Sequence, residues 1–214
     1  VEGDELRAKI ASIEAVADDY TVHGAADALW RTRTLSLPHV EVTVHPRDLP
    51  GEIGARGSIA DLLATRGLAL DVTLTDLDPR LIGRVASDAP ALPGGIRVDG
   101  SGRVLRAASV TRVRDLHGSV RSGAGLNATL TGDMLADPAA PEGDIDFALT
   151  ADARSYADLG FPTGPERATG QLRLRPTYLT ALATMNMGAS DLQAVVNADL
   201  AGGALASLAV DVWG

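Results

Sequence analysis

The stretch VEVTVH (Val40–His45) places an apolar residue at every second position, with polar residues between them. Three further segments repeat this pattern: LDVTLT (Leu70–Thr75), LNATLT (Leu126–Thr131) and IDFALT (Ile145–Thr150). A period of two residues is that of a β-strand with one apolar face and one polar face. The repetition therefore predicts a mainly β fold, in which such strands pair side by side into a one-faced sheet.

The composition limits what this sheet can do. The 214 residues are 45% hydrophobic but only 3% aromatic, so the apolar side chains are chiefly Ala, Leu and Val. The chain has no cysteine, which excludes disulfides, thiolate-bound metals and a catalytic thiol. The net charge of −9 disfavours a nucleic-acid partner. All of the basic residues except Lys9 are arginine, which is typical of a GC-rich genome.

The N-terminal segment is predicted to be a helix. Leu6, Ile10, Ile13 and Ala17 fall on one stripe at helical spacing, with charged residues between them. We expect this helix to pack against the sheet. A membrane-surface helix is a weaker alternative, because its polar face carries few cations.

Three short helical insertions are also predicted. Each begins at a residue that commonly caps a helix, and the first two are followed by apolar residues on one side. The expected starts are Ser58, with Ile59, Leu62, Leu63 and a stop at Gly67; Asp78-Pro79, with Leu81, Ile82 and Val85; and Ser155, with a single turn closed by Gly160.

The four similar strands are spaced by 30, 56 and 19 residues, which argues against a regular solenoid. We expect an elongated, curved antiparallel β-sheet, groove-like or taco-like, with an N-terminal helix and short helical insertions. Gly-rich turns are predicted at Gly100–Gly102 and Gly123–Gly125. The expected division is a helical segment at 1–30, a β-rich region with short helices at 31–136 and a second β-rich repeat region at 137–214.

Few residues suggest chemistry. His39, Glu41, Thr43 and His45 share one face of a strand and include metal-ligating types, but a solvated polar face explains them. Asp71, Asp76 and Asp78 are better interpreted as strand-face and capping residues than as paired catalytic carboxylates. The sequence thus predicts a protein that is not an enzyme and has no catalytic residue, metal or cofactor.

The apolar face is the remaining candidate site. It is predicted to comprise Val40, Val42, Val44, Leu70, Val72, Leu74, Leu126, Leu130, Ile145, Phe147, Leu149, Leu192, Val196 and Leu200. This face is either a core covered by helices and a second sheet layer or an open groove that holds acyl chains. Alternatively, the same face binds a larger membrane or envelope complex, in which the chain is a structural or accessory β-subunit.

The final third of the chain resembles the AsmA-like family of bacterial envelope proteins, relatives of the bridge-like lipid-transfer proteins. The resemblance lies in the segment DFALTADARSYADLGFPTGPERATGQLRLRPTYLTALATMNMGASDLQAVVNADLAGG (Asp146–Gly203). Its most family-like phrase is Gly188-Ala189-Ser190-Asp191-Leu192, which precedes another alternating strand. VEVTVHPRDLPGEIG and LDVTLTDLDPRL are looser copies of the opening, so the resemblance extends over 35–214.

The resemblance implies a non-enzymatic protein of the periplasm, anchored in the inner membrane by a segment outside this chain. It implies a taco-shaped groove that guides phospholipid or assists outer-membrane assembly, and it supplies no catalytic residues. The chain departs from the family pattern by lacking a transmembrane anchor and by carrying Arg and His in its first copy.

Overall fold

A computed structural model describes residues 5–17, 19–64, 66–81, 94–107, 110–123, 125–137, 140–152, 166–201 and 204–214. These residues form thirteen β-strands. The strands are β1 (Glu5–Val16), β2 (Tyr20–Arg31), β3 (Thr34–Pro46), β4 (Glu52–Asp61), β5 (Arg66–Leu77), β6 (Ile96–Ala107), β7 (Val110–Ser122), β8 (Asn127–Ala136), β9 (Glu142–Thr150), β10 (Arg167–Arg175), β11 (Tyr178–Met187), β12 (Ser190–Ala201) and β13 (Ala204–Trp213).

The strands form one open sheet in sequence order, and every neighbouring pair is antiparallel. This order confirms the prediction of a mainly β, antiparallel fold. Every pair of strands in substantial contact is adjacent in sequence, so the contacts are local along the whole sheet. The two edges of the described sheet are β1 and β13.

One face of this sheet is apolar from edge to edge. Direct cross-strand partners lie on the same face of an antiparallel sheet, so a row can be followed from strand to strand. One such row crosses all thirteen strands and contains only apolar residues and glycine. It consists of Ala15, Val22, Val44, Ile53, Leu74, Gly100, Gly118, Leu130, Phe147, Gly170, Ala183, Ala194 and Val212.

The neighbouring row lies on the opposite face and is mainly polar. It consists of Glu14, His23, Thr43, Gly54, Thr73, Ser101, His117, Thr131, Asp146, Gln171, Leu182, Val195 and Asp211. Leu182 and Val195 are its apolar members, and they pair with each other near one edge. The alternation of apolar and polar residues in the sequence thus gives the sheet one apolar face and one mainly polar face.

The predicted N-terminal helix is wrong, because Glu5–Val16 is strand β1. A bulge between Ile10 and Ile13 explains the misleading spacing. Leu6, Ala8 and Ile10 lie on the apolar face, and the extra residue returns Ile13 to that face. A bulged strand therefore reproduces the three-residue step of a helical stripe.

The other helical predictions have different outcomes. Ser58 and Ile59 belong to β4 and Gly67 to β5, while 62–64 form the turn between these strands; the predicted helix there is wrong. At the second site only Arg80 and Leu81 are helical, and Ile82 and Val85 lie outside the described residues. The predicted turn from Ser155 to Gly160 also lies outside them.

Two turn predictions differ in outcome as well. Gly100–Gly102 is not a turn but the middle of β6, where Gly100 and Gly102 lie on the apolar face. The Gly123–Gly125 prediction is supported by a hydrogen bond from the Gly125 amide to the Ser122 carbonyl oxygen, at 3.2 Å. The three-part division of the chain stays a prediction.

Two further bulges keep the apolar face continuous. In β5 and β7 a bulge inserts Asp76 and Asp115, which have φ angles of +48° and +52°. In each case the amide of the bulged aspartate donates to a carboxylate of the next strand, Asp99 or Asp133, at 2.9 Å. The extra residue returns Leu77 and Leu116 to the apolar face.

Candidate ligand-binding face

The structure brings the predicted groove residues onto one face. Register places Val40, Val42 and Val44 of β3 beside the apolar residues of β4, which in turn pair with Leu70, Val72 and Leu74 of β5. The other predicted residues of the strands share this face: Leu130, Ile145, Phe147, Leu149, Leu192, Val196 and Leu200. Leu126 directly precedes β8 and is buried. The fourteen predicted residues thus form one surface or adjoin it.

This surface is only partly covered. Among the described residues, no second sheet layer lies over it, and most of the predicted groove residues remain half-exposed. Val40 and Leu126 are the buried members of the set. The prediction of a core covered by a second layer therefore does not hold for the described residues.

A trough crosses the middle of the apolar face. Gly100, Gly102 and Gly118 lie side by side on β6 and β7, where their missing side chains leave space. The trough has a volume of about 270 Å³. Its walls are formed mainly by Val72, Leu74, Val98, Val104, Val113, Leu116 and Leu130. Such a depression presents aliphatic surface on its sides and offers few hydrogen-bonding side chains.

Glycine also permits close packing beside Phe147. A Cβ added at Gly170 would lie 2.7 Å from Cζ of Phe147 and 2.1 Å from the carbonyl oxygen of Leu182. Gly170 is thus a position where neither the aromatic ring nor the adjoining strand leaves room for a side chain. The sequence pattern does not reveal the role of these glycines, because Gly100–Gly102 has the composition of a turn and Gly170 lies within an ordinary alternating segment.

The apolar face is closed at one end of strands β2–β5. There Leu49, Leu77 and Leu81 form a buried cluster, against which Tyr20, Ile53 and Leu74 pack. Leu49 comes from the β3–β4 connection, and Leu81 comes from the helical turn that follows β5. These two connections cover an end of the face that the strands alone would leave open.

Asp78 fixes the helical turn in place. Its side chain is 0% exposed, and its amide donates to the Pro50 carbonyl oxygen at 3.1 Å. One carboxylate oxygen accepts from the amide and Nε of Arg80, both at 3.0 Å. The other accepts from Nη2 of Arg80 at 2.7 Å and Nη1 of Arg97 at 3.1 Å. With Pro79 at the first position, this is the geometry of a helix N-cap.

The ionised form of Asp78 is strongly favoured. Hydrogen bonds from Arg80, opposed in part by burial, lower the pKa of Asp78 from 3.8 to about 2. Every polar atom of its carboxylate has a partner, so the buried charge is compensated. Asp78 therefore acts as an anchor for the closed end and has no free lone pair directed at a ligand.

The polar face carries several exposed ion pairs. Asp71 lies 3.9 Å from Arg103. Asp76 belongs to the β5 bulge and shares Arg97 with Asp78, at 3.7 and 3.1 Å, so both carboxylates are held in ion pairs. Asp144 pairs with Arg173 and Arg175 at 3.0 Å, and these contacts lower the pKa of Asp144. Exposed pairs of this kind add little stability.

The prediction that the histidines of β3 share one face of the strand is also confirmed. His39, Glu41, Thr43 and His45 all project from the polar side of β3. His45 lies 3.9 Å from Glu52 and makes an edge contact with His23. Within the described ranges, no group of three or more acidic or histidine side chains is arranged to hold a metal ion.

Comparison of the chain with protein-family models, curated proteins and solved structures found no match. Among the described residues, no helix is long and apolar enough to span a membrane.

Proposed function

We propose that this chain is a non-enzymatic cell-envelope protein whose apolar face shields or guides lipid acyl chains. The observation that carries the proposal is the row of apolar residues and glycine that crosses all thirteen strands. Monomeric proteins rarely expose a continuous apolar patch of more than a few hundred Å². A sheet of this width therefore needs a covering ligand or partner.

The chemistry of the face favours acyl chains as that cover. Its side chains are aliphatic, and the trough over Gly100, Gly102 and Gly118 has apolar walls. Hydrocarbon tails bind through contact area and need no hydrogen-bonding anchor. A sugar-binding site would be expected to contain aromatic side chains on which sugar rings stack, and only 3% of the residues in this chain are aromatic.

The proposal includes an AsmA-like role in lipid transport or outer-membrane assembly. In this role the protein faces the periplasm of a bacterium with a GC-rich genome, and a segment outside this chain anchors it in the inner membrane. The alternating strands and the Gly188–Leu192 phrase support this assignment. No cofactor takes part in such a function.

Site-specific photo-crosslinking tests the proposal. We expect photo-reactive residues at Val72 and Phe147 to label phospholipid in the cell envelope, because both positions lie on the apolar face. The matched controls are Thr73 and Asp146, which are adjacent in sequence and lie on the polar face. Equal labelling at all four positions, or clean protein without co-purifying lipid in native mass spectrometry, would contradict the proposal.

A second candidate is a structural subunit that buries the same face against a partner complex. The apolar-face residues Leu208, Val210 and Val212 favour it, because they are exposed on β13 and a partner could cover them. At this edge of the described sheet, the backbone of β13 is also open to pairing with a strand of the partner. Size-exclusion chromatography separates the two functions. A lipid-loaded monomer supports the first function, and dependence of solubility on one protein partner supports the second.

A further inference from the structure

An exposed apolar patch lies at one corner of the apolar face, where β1 begins, β2 ends and the β4–β5 turn is located. We call it the corner patch and define it as Leu6, Trp30, Leu35, Leu62 and Leu63. Leu6 pairs with Trp30, and Trp30 pairs with Leu35. The amide of Leu62 donates to the Leu35 carbonyl oxygen at 2.7 Å, which connects the turn to this row.

The corner patch projects its side chains into solvent. Leu6 is 67% exposed, Leu63 is 64% exposed and Trp30 is 40% exposed. Oδ1 of Asp61 accepts from the amides of Leu63 and Ala64 at 3.1 and 3.2 Å, which fixes the shape of the turn. The leucines are thus held outward at a tight turn, where an isolated protein gains nothing from exposing them.

Arginines surround the corner patch in a chain that is acidic overall. Arg7, Arg31, Arg33 and Arg66 are exposed, and Glu5 and Asp61 are the nearby carboxylates in these strands and turns. Arg7 and Arg31 share Glu5, and no carboxylate in the described part of the chain forms an ion pair with Arg33 or Arg66. Among the described residues, four arginines and two carboxylates thus surround the corner patch, in a chain whose net charge is −9.

We propose that the corner patch docks on the surface of an anionic lipid bilayer. Its leucines and Trp30 enter the interfacial region, and its arginines meet the lipid phosphates. The exposed area of the patch is on the order of 400 Å², about half of what one partner contributes to a standard protein interface. Insertion into the interfacial region requires apolar side chains that reach only a few ångströms into the bilayer, with cations beside them. The corner patch has both kinds of side chain.

The two tryptophans of the chain provide a direct test. Trp213→Phe leaves Trp30 as the only indole, and Trp30→Phe leaves Trp213 at the far edge of the sheet. We expect the Trp30 emission to shift to the blue with vesicles of phosphatidylcholine and phosphatidylglycerol, and to stay unchanged with phosphatidylcholine alone. The Trp213 emission should stay unchanged with both, and salt should weaken the Trp30 shift.

Paired variants identify the groups that bind. Leu62→Ser with Leu63→Ser should weaken vesicle binding about tenfold or more, since two inserted leucines are lost. Leu182→Ser is the control, because Leu182 is 48% exposed but lies on the polar face of β11.

Arg33→Glu with Arg66→Glu should also weaken binding about tenfold or more. Arg47→Glu with Arg167→Glu makes the same change in net charge at the opposite strand ends and should have little effect.

Three results would overturn the docking proposal. The first is a shift of Trp213 in place of Trp30, and the second is unchanged vesicle binding by the double leucine variant. The third is a Trp30 shift that depends on protein concentration without vesicles, which would identify a protein contact. Acyl-chain labelling at Val72 and Phe147 in the double leucine variant should match the wild-type level, so the failure of one proposal is distinguishable from the failure of the other.

Discussion

Replacing Asp78 with alanine is expected to lower the free energy of unfolding by about 3 kcal/mol. The variant loses four hydrogen bonds to the carboxylate, donated by the Arg80 amide, the Arg80 guanidinium and Arg97. It also releases the helical turn that carries Leu81 into the cluster with Leu49 and Leu77. Equilibrium unfolding in urea measures the effect.

Two controls assign the expected loss to the buried anchor. Asp78→Asn keeps a capping side chain but removes the charge, and we expect it to lose about 2 kcal/mol. Asp71→Ala removes an exposed carboxylate of β5, the strand that precedes Asp78. Asp71 lies 3.9 Å from Arg103, and its loss should change stability by less than about 0.5 kcal/mol. Equal losses at positions 71 and 78 would contradict the anchor.

The same site has a pH signature. The pKa of Asp78 is about 2 in the folded protein and 3.8 as the ordinary value, so ionisation favours the folded state. Its contribution should be fully present above pH 3.8 and should disappear as the pH falls from there towards about 2. The stability difference between the wild type and Asp78→Asn isolates this contribution, because the other titrating carboxylates are common to both proteins. A difference that stays constant across this range would contradict the assignment.

The alternation in the sequence was sufficient to predict a mainly β fold and the composition of the apolar face. Val40, Leu74 and Phe147 were placed correctly because a period of two residues fixes side-chain direction once a strand forms. Asp78-Pro79 could likewise be identified as a start signal, since capping depends on local geometry.

A bulge is the reason that the N-terminal segment was predicted wrongly. At Ile10–Ile13 one extra residue changes the spacing of apolar residues from two to three, and a helix has the same spacing. The bulges at Asp76 and Asp115 are stabilised by carboxylates of the next strand, which are distant in sequence. A single-sequence pattern contains no information about such partners.

The trough and the corner patch were missed for a related reason. Gly100 and Gly118 form the trough only because register places them side by side. Leu62 and Leu63 were assigned to one side of a short helix, whereas they lie in a turn that leaves them exposed. Neither arrangement follows from local sequence alone.

Placing a carboxylate on the apolar face is expected to abolish acyl-chain binding. We expect Phe147→Asp to reduce labelling by a photo-reactive fatty acid about a hundredfold or more. Phe147 lies in the row between Leu130 and Gly170, so a chain lying along the row would cover the new charge. Burying an unpaired carboxylate costs several kcal/mol, and a hundredfold loss corresponds to about 2.7 kcal/mol.

The adjacent residue provides the matched control. Ala148→Asp places the same charge in the same strand, but Ala148 pairs with Thr129 and Thr169 on the polar face. It should bind the probe like the wild type. Phe147→Leu should also bind, since it keeps an apolar side chain. Circular dichroism and size-exclusion chromatography confirm that each variant retains the sheet.

Acidification distinguishes the effect of the charge from a loss of packing. At a pH below the pKa of the introduced carboxylate, the side chain becomes neutral and its burial costs much less. Labelling of Phe147→Asp should therefore recover in part at low pH, whereas labelling of Phe147→Leu should change little. If Phe147→Asp and Ala148→Asp bind the probe equally well at neutral pH, acyl chains do not lie on this face, and a protein partner becomes the better explanation of its apolar surface.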